Sequence, residues 1–339
     1  MTDPTLTHPM HLLGIDIGGT KSAVVLGRRV GEDVQIVRRI AQPTRPDADP
    51  LAALGELAAL AQRLLVEAGF GAGDIARLGV SCGGPLDDVD GVVLGPPNLP
   101  GWDRVPVVDF LEERLGIETR LSNDANAGAI AEWRWGAGRG TATMAFLTFG
   151  TGLGAGLIIN GRVHRGWRGL AGEVGHIRVA SGGPLAYGKA GSWEGYSSGN
   201  GIRLLAIARV REEWAAGRHV AFCPDEAALA ELDVPALAQA ARRGDAVAAG
   251  VFRTSGEFLG QGIAILADII DPEVVVAGGI YRRCIDLLEG PTLAAFEREA
   301  LAGARGRVRI VPAELGEAIG DWSALAVAMS EPPSRSDPR

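Results

Sequence analysis

Residues 12–21, LLGIDIGGTK, have the residue types of a nucleotide-phosphate site. An apolar run ends at an aspartate, and two glycines, a threonine and a lysine follow: Asp16, Gly18, Gly19, Thr20 and Lys21. Glycine lacks a Cβ, so the backbone there can bring its N–H groups against an anion. Asp16 at the strand end would hold a hydrated Mg²⁺, which prefers carboxylate and phosphate oxygens. The segment predicts either a plain hairpin turn or the first half of a phosphate site.

A second glycine-rich turn lies at residues 148–161, TFGTGLGAGLIING, and includes Gly150, Thr151, Gly152 and Gly154. Apolar runs enter and leave it, so the pattern predicts a strand, a turn and another strand. The segment lacks the Walker pattern, and it is not a dinucleotide fingerprint because a strand rather than a helix follows. Two such units, about half a chain apart, indicate two half-sites for one nucleotide.

Asn123 and Asp124 stand between a strand that ends at Leu121 and an alanine-rich helix over Ala125–Trp135. One interpretation is that either residue is simply the N-cap of this helix. The other makes Asp124 a general base beside the helix N-terminus, with Asn123 binding substrate hydroxyls. Phosphoryl transfer needs an oriented hydroxyl, an acceptor for its proton, a metal and phosphate donors. The local sequence leaves both interpretations open.

Residues 165–200 are glycine-rich and lack periodicity, and so long an irregular stretch is more often functional than not. It contains Glu173, His176 and Glu194. These residues could be two solvated glutamates and a hydrogen-bonded core histidine, or Glu173 and His176 could ligate a metal. A polyol site fits better, because carboxylates and an imidazole accept hydrogen bonds from sugar hydroxyls and such polar sites discriminate sharply.

The 339-residue chain is long enough for two domains. Its formal net charge of −8 argues against nucleic acid as a partner, since phosphate backbones need a basic surface. The three cysteines, Cys82, Cys223 and Cys284, are far apart and suggest no disulfide framework, which fits a reducing cytoplasm. No apolar stretch reaches the roughly 20 residues that span a bilayer, and no secretory signal is visible, so no membrane partner is expected.

Strands followed by helices, twice along the chain, predict an α/β fold with two domains. Three strands are expected within residues 12–40, a helix over 50–69, and a strand over Ile75–Ser81. A mostly helical region should follow residue 201, and a buried strand is expected over 273–280. The expected division is an N-terminal domain over 1–121, completed by a C-terminal helix near 315–330, a C-terminal domain over 122–314, and a tail over 331–339.

Several motifs stand in a fitting order over about residues 12–330: GIDIGGTK, GGPLD with PPNLPGW, SNDANA, FGTGLGAGLIINGRVHRG with GEVGH, GSWEGY, and VVVAGGI. On these motifs the chain resembles the ROK (repressor, open reading frame, kinase) sugar kinases, within the actin-like ATPase and sugar-kinase superfamily. The resemblance implies two ribonuclease-H-like α/β domains around a central cleft, in a protein that is usually a homodimer.

The resemblance also implies roles for individual residues. Asp124 would be the catalytic base in the phosphorylation of a hexose hydroxyl, O6 of glucose or a related hexose, by ATP with Mg²⁺. The two glycine turns would bind the phosphates, and Gly278 and Gly279 would pack near the adenosine. The family's hexose contacts map to Asn123, Glu173, His176 and Glu194, with Gly84 and Asn98 as further candidates.

One motif departs from the family's pattern. Most members carry a zinc-binding C-x-C-G-x-x-G-C-x-E segment after the Gly-His pair. Here the three cysteine positions hold Leu185, Tyr187 and Ser192. Structural zinc sites nearly always need four ligands, and only His176 is left. The sequence therefore predicts no structural zinc, and packing around Leu185, Tyr187 and Trp193 is expected to shape the loop instead.

Two other functions are considered. The family includes sugar-responsive repressors, but they carry a helix-turn-helix domain before the first glycine turn. About eleven residues precede Leu12 here, too few for three helices, and the chain is acidic. A sugar-binding protein without turnover is suggested by the altered zinc motif. The intact glycine turns and Asp124 favour the kinase.

Overall fold

The structure is a computed structural model, and it describes residues 10–45 and 48–331. The start of the expected N-terminal domain, residues 1–9, and tail residues 332–339 lie outside the described residues. Its strands are β1 (Met10–Ile17), β2 (Lys21–Val30), β3 (Asp33–Pro43), β4 (Ile75–Cys82), β5 (Leu86–Asp87), β6 (Val92–Val93), β7 (Val105–Pro106), β8 (Thr119–Asn123), β9 (Met144–Phe149), β10 (Leu153–Ile159), β11 (Arg162–Val163), β12 (Leu185–Ala186), β13 (Lys189–Ala190), β14 (Val274–Ala277) and β15 (Arg309–Pro312).

The α-helices are α1 (Pro50–Ala68), α2 (Val107–Leu115), α3 (Asp124–Trp135), α4 (Trp193–Tyr196), α5 (Gly199–Ala215), α6 (Glu226–Ala230), α7 (Val234–Arg242), α8 (Ala246–Ile270), α9 (Ile280–Arg283), α10 (Ile285–Glu299) and α11 (Ile319–Ala328). Short 3₁₀ turns cover Ala72–Asp74, Val174–His176 and Gly316–Ala318. The chain divides into two compact units. Unit 1 contains Met1–Arg139, Val163–Ala171 and Glu317–Arg339, and unit 2 contains Gly140–Arg162 and Gly172–Gly316.

The sheet of unit 1 has the strand order β3-β2-β1-β4-β8. β1, β2 and β3 form an antiparallel meander, and β4 and β8 run parallel to β1. α11 packs on β1 and β4. Its backbone comes so close to β4 that a Cβ on Gly79 would collide with the carbonyl oxygen of Ala324 and the amide nitrogen of Ala328. Only glycine permits this approach, so Gly79 sets how closely the helix packs on the sheet.

The sheet of unit 2 repeats this plan with the order β11-β10-β9-β14-β15. β9 and β10 are antiparallel, and β14 and β15 run parallel to β9. The 25-residue helix α8 packs against α10, where Gly256 and Gly260 allow close contact with Pro291 and Thr292. β14 is buried along its whole length, as expected for a parallel strand in the middle of a sheet. Each unit therefore has a hydrophobic core of its own.

Three details differ from the sequence expectations. Unit 1 extends to Arg139 rather than 121, because α3 packs on α11 and follows β8 directly. The strand expected over 273–280 ends at Ala277, where the backbone of Gly279 turns to φ +55°. α9 and α10, which follow it, were not among the expected elements. Among the described helices, none is long and apolar enough to cross a membrane.

Candidate functional site

Several of the predicted residues of unit 1 meet at one edge of its sheet. β1, β4 and β8 are parallel, so their carboxyl ends lie side by side. This edge is where ligands bind in open α/β sheets. Asp16 stands near the end of β1, Gly84 follows β4, and Asn123 ends β8. A Cβ on Gly84 would lie 2.7 Å from Asn123 Nδ2, so these two predicted hexose contacts are neighbours.

The first glycine turn is a tight hairpin connection between β1 and β2. The Gly18 N–H donates to the Lys21 carbonyl oxygen (3.2 Å), and the Thr44 hydroxyl donates to the Gly18 carbonyl oxygen (2.6 Å). A Cβ on Gly19 would lie 2.9 Å from Asn98 Cβ, which places another predicted hexose contact against the turn. The hairpin interpretation is correct as far as local geometry goes. Because the Gly18 N–H is bonded within the turn, phosphate donation here would fall to the residues that follow it.

Asn123 is the N-cap of α3. Its Oδ1 accepts hydrogen bonds from the backbone N–H groups of Ala125 (2.8 Å) and Asn126 (3.4 Å), which is the usual N-cap arrangement. Asp124 is exposed in the first helical turn, and its Oδ1 also accepts from Ala125 N–H (2.8 Å). The capping interpretation therefore applies to Asn123. Since Asn123 Oδ1 is bonded to the backbone, only its Nδ2 would be offered to a sugar hydroxyl.

Asp16 lies among other carboxylates of unit 1. Burial, with the negative charges of Asp124 and Asp321, raises the pKa of Asp16 to about 7, against the smaller opposing effects of a hydrogen bond from Ser81 and the charge of Arg39. Three carboxylates and one guanidinium leave this cluster net negative. Its donors are hard oxygens, which are the ligands that Mg²⁺ prefers. Within the described residues no three such side chains come close enough to bind one metal ion directly, so the Asp16 carboxylate fits only a hydrated Mg²⁺ held through water.

Sequence reasoning missed Asp321 and Arg39. Asp321 is buried (7% exposed) in α11, and its Oδ2 accepts a 2.6 Å hydrogen bond from Arg39 Nε on β3. In the same helix, a Cβ on Gly320 would collide with the Asp16 carboxylate. One signal was available, because Asp321 is the single charged residue in the apolar run of α11.

The second glycine turn, in unit 2, connects β9 and β10. The Gly150 N–H donates to the Gly152 carbonyl oxygen (3.0 Å), and the Gly154 N–H donates to Thr148 Oγ1 (3.1 Å). Both of these N–H groups are bonded within the hairpin, so phosphate donation from it would fall to Thr151 and Gly152. The Gly150 carbonyl oxygen accepts from the N–H of Gly199 (2.8 Å), which fixes the turn on the first residue of α5.

The diglycine after β14 packs against this turn. A Cβ on Gly279 would collide with the Phe149 carbonyl oxygen and would lie 3.6 Å from the Gly150 nitrogen. With φ at +55°, Gly279 also has a backbone conformation that side chains disfavour. Gly278 lies beside the Phe146 ring, with a Cβ distance of 3.2 Å. The structure thus places Gly279 against the second glycine turn and Gly278 against β9, and their position near an adenosine stays a prediction.

Glu194 links a predicted sugar contact to the same turn. It is buried (8% exposed) in α4, and its Oε2 accepts a hydrogen bond from Leu153 N–H (2.9 Å). Burial raises the pKa of Glu194, and the Leu153 N–H, the charge of His176 and a hydrogen bond from Tyr187 oppose the rise. A Cβ on Gly152 would lie 2.8 Å from Glu194 Oε2, so the bare backbone there makes room for the carboxylate.

Glu173 precedes a single 3₁₀ turn, Val174–His176, which His176 ends, and both residues are exposed. The His176 ring is stacked on Tyr187, with ring centroids 4.3 Å apart and an interplanar angle of 29°. His176 is therefore not the core histidine that was one alternative. Tyr187 was not among the predicted site residues, although its position in the altered zinc motif was a signal.

The residues around the zinc-motif positions do not fit a zinc ion. The Ser192 hydroxyl caps α4 by accepting from Gly195 N–H (3.2 Å). Leu185 is 62% exposed, so the expectation that its packing shapes the loop is wrong. Trp193 does pack, because a Cβ on Gly262 of α8 would run into its ring. No cluster of three or more metal-ligating side chains occurs within residues 10–45 and 48–331.

We expect purified protein to hold far less than one zinc per chain, because His176 alone supplies no four-ligand site. Elemental analysis after dialysis without chelator measures this directly. Protein prepared in parallel from cells grown with added zinc is the control for a shortage of zinc in the growth medium. About one zinc per chain in either preparation would contradict the prediction.

Comparison with known proteins gives consistent matches over nearly the whole chain. The ROK family model matches residues 12–330. A glucokinase of Streptomyces coelicolor is 30% identical over 326 residues, which are 95% of this chain and 98% of the relative. An N-acetylmannosamine kinase of Escherichia coli is 32% identical over 301 residues, 86% of this chain and 93% of the relative.

Solved structures agree with the sequence matches. A ROK hexokinase from Thermus thermophilus is 30% identical with a TM-score of 0.77, covering 94% of this chain and 98% of that one. A ROK glucokinase from Streptomyces griseus, in complex with glucose and AMPPNP, is 33% identical with a TM-score of 0.75, covering 94% and 99%. The expected fold class, two ribonuclease-H-like α/β domains of the actin-like ATPase type, is confirmed.

Proposed function

The chain belongs to the ROK family, and from that premise we propose that it is an ATP-dependent hexose kinase that phosphorylates O6 of glucose or a related hexose. Glucokinases and N-acetylmannosamine kinases are among its relatives, and both classes transfer a phosphoryl group to a sugar. Glucose is the first substrate to test, since Glu173 and Glu194 are both present.

The observation that carries the proposal is that Asn123 and Asp124 have different roles at the start of α3. Asn123 caps the helix, while Asp124 remains exposed in the first turn at the same sheet edge as Asp16. Asn123 supplies the N-cap, and the exposed Asp124 carboxylate, whose Oδ1 also accepts from Ala125 N–H, lies where the carboxyl ends of the strands meet. Asp124 would accept the proton of the sugar hydroxyl as that oxygen attacks the γ-phosphate.

The other residues would bind and orient the substrates. Glu173, His176 and Glu194 of unit 2 would accept hydrogen bonds from sugar hydroxyls, and Asn123 Nδ2 of unit 1 would donate one. Backbone N–H groups and Lys21 of the two glycine turns would stabilise negative charge on the phosphates. Mg²⁺, held through water by Asp16, would neutralise phosphate charge when it is bound.

A coupled assay for ADP release with ATP, Mg²⁺ and a hexose panel tests the proposal. The panel contains glucose, mannose, fructose, allose, N-acetylglucosamine and N-acetylmannosamine. We expect turnover with at least one of them, and no turnover when its 6-deoxy analogue replaces it. The Asp124→Asn protein, purified in the same way, controls for contaminating kinases, and polyphosphate in place of ATP tests the phosphoryl donor.

The outcomes separate the kinase from the alternatives. Binding of a hexose by calorimetry without any turnover would support a sugar-binding protein or a sugar-responsive regulator and would contradict the kinase. Turnover of a 6-deoxy sugar would contradict transfer to O6 alone. A preference for N-acetylmannosamine over glucose would change the assigned substrate and leave the proposed reaction, phosphoryl transfer to a sugar, unchanged.

We also infer a cytoplasmic homodimer. A cytoplasmic location is supported by the need for ATP and by the three cysteines, which are all buried and free in the structure. The dimer is supported by the family resemblance and is checked by light scattering of the purified protein.

A further inference from the structure

The segment Leu185–Ala190 is a small β-hairpin in unit 2. β12 and β13 pair through Leu185 with Ala190 and Ala186 with Lys189. The two turn residues both have positive φ, +50° for Tyr187 and +69° for Gly188. Such a two-residue turn favours asparagine, aspartate or glycine. Tyrosine at its first position is therefore strained, and contacts outside the hairpin must hold it there.

Tyr187 makes those contacts with two of the residues that we propose bind the sugar, His176 and Glu194. The Tyr187 ring is stacked on the His176 imidazole, with centroids 4.3 Å apart. Its phenol group is also close enough to the Glu194 carboxylate to lower the pKa of that group by hydrogen bonding. The next strand contributes as well, because Lys189 Nζ donates to the His176 carbonyl oxygen. One strained residue thus stacks on the imidazole and interacts with the carboxylate.

Burial in the hydrophobic core does not account for this arrangement. Tyr187 is 58% exposed, so its ring is not part of the hydrophobic core. Leu185, on the same hairpin, is 62% exposed. The rest of the loop is anchored elsewhere, since Trp193 packs on α8 and the Tyr196 hydroxyl donates to the Gly182 carbonyl oxygen (2.7 Å). The hairpin's specific contacts are therefore directed at His176 and Glu194.

We propose that Tyr187 is a positioning residue for the hexose site, which orients the His176 imidazole by stacking and the Glu194 carboxylate by its phenol O–H. Of the three residues at the altered zinc-motif positions, Leu185 is exposed and Ser192 caps a helix, whereas Tyr187 contacts the ligands. An aromatic ring and a hydroxyl thus order the sugar contacts without a metal. This inference rests on the proposed hexose kinase function.

Two substitutions separate the ring from the hydroxyl. Tyr187→Phe keeps the stacking and removes the hydrogen bond, and we expect the hexose KM to rise about tenfold, the effect typical of losing a hydrogen bond to a charged group. Tyr187→Asn removes both contacts, and we expect a rise of about 30- to 100-fold. In both variants kcat should stay within about threefold and the KM for ATP should not change, since a raised KM with unchanged kcat marks lost binding alone.

The variants are chosen so that folding does not obscure the result. Asparagine adopts positive φ more readily than tyrosine, so Tyr187→Asn should keep the hairpin and the melting temperature. Leu185→Ala is the matched control on the same hairpin, and its hexose KM should equal that of the wild type. If the melting temperature of Tyr187→Asn is well below that of the wild type, the hexose KM of Tyr187→Phe alone decides whether Tyr187 positions the hexose site.

The positioning role and the kinase function can fail separately. A wild-type enzyme that phosphorylates a hexose, with an unchanged hexose KM in Tyr187→Asn and Tyr187→Phe, would overturn the positioning role and leave the kinase standing. A fall in kcat with unchanged KM would overturn it as well. A wild-type protein that neither binds nor phosphorylates any hexose of the panel would overturn both proposals together.

Discussion

Asp124→Asn should lower kcat for hexose phosphorylation by about 10²- to 10⁴-fold, which is the range for loss of a general base. The amide cannot accept the hydroxyl proton, but it has nearly the same shape as the carboxylate. Asn123 caps α3 in either case, so the helix and the hexose contacts should remain. We therefore expect the hexose Kd from calorimetry to change by less than about threefold, while steady-state turnover is nearly lost.

A matched control is available in the same unit. Asp109 also lies in the first turn of a helix, α2, and it is exposed. Asp109→Asn should have the same small effect on helix stability, about 0.3–1 kcal/mol from the lost interaction with the helix dipole. It should leave turnover unchanged. An Asp124→Asn protein with kcat within tenfold of the wild type would refute the role of Asp124 as the base.

Asp16→Asn should stabilise the metal-free protein and impair the enzyme. The pKa of Asp16 is about 7 in the folded protein, because burial and two neighbouring carboxylates disfavour its charged form, and about 3.9 is the value for an unfolded chain. Well below about pH 4 the Asp16 carboxyl is protonated in both the folded and the unfolded chain, and its favourable contribution to the free energy of unfolding is then complete. As pH rises from there to 7 the contribution is lost, since the folded state holds a proton that the unfolded state has released.

The expected size follows from this window. A neutral asparagine should raise the free energy of unfolding by about 4 kcal/mol at pH 8 and by about 1.5 kcal/mol at pH 5, at 1.36 kcal/mol per pKa unit. Denaturant titrations at the two pH values, without Mg²⁺, measure the difference. Asp103→Asn, at an exposed loop position, is the control and should show no such pH-dependent gain. An Asp16→Asn protein no more stable than the wild type at pH 8 would contradict this account.

The same substitution should reduce turnover. If Asp16 holds Mg²⁺ through water, its loss should cost about 10- to 100-fold in magnesium affinity or activity, as for other residues that orient metal ligands indirectly. Activity measured against Mg²⁺ concentration gives both quantities. A stabilised Asp16→Asn protein with wild-type dependence on Mg²⁺ would remove Asp16 from the metal site. Gain of stability with loss of activity is the expected pattern for a functional group whose buried charge costs stability.

Much of the fold could be predicted from local patterns. Alternating apolar runs and glycine turns indicated β1, β2, β9 and β10, and the leucine spacing of residues 50–69 predicted α1, because these features repeat with the period of the element itself. The extension of unit 1 to Arg139 was not predicted. It depends on α3 packing against α11, a contact between segments nearly 200 residues apart in the chain.

By itself, the sequence determined the fold class, the family and the order of the chemical motifs, since each is carried by residue types within short segments. The tertiary structure alone decided how those residues are used. It assigned capping to Asn123, brought Asp321 and Arg39 beside Asp16, and placed Tyr187 on His176 and Glu194. The Asp321–Arg39 pair joins residues 282 positions apart, which no local pattern can indicate, and the other two relations depend on backbone geometry and side-chain distances that residue types alone do not fix.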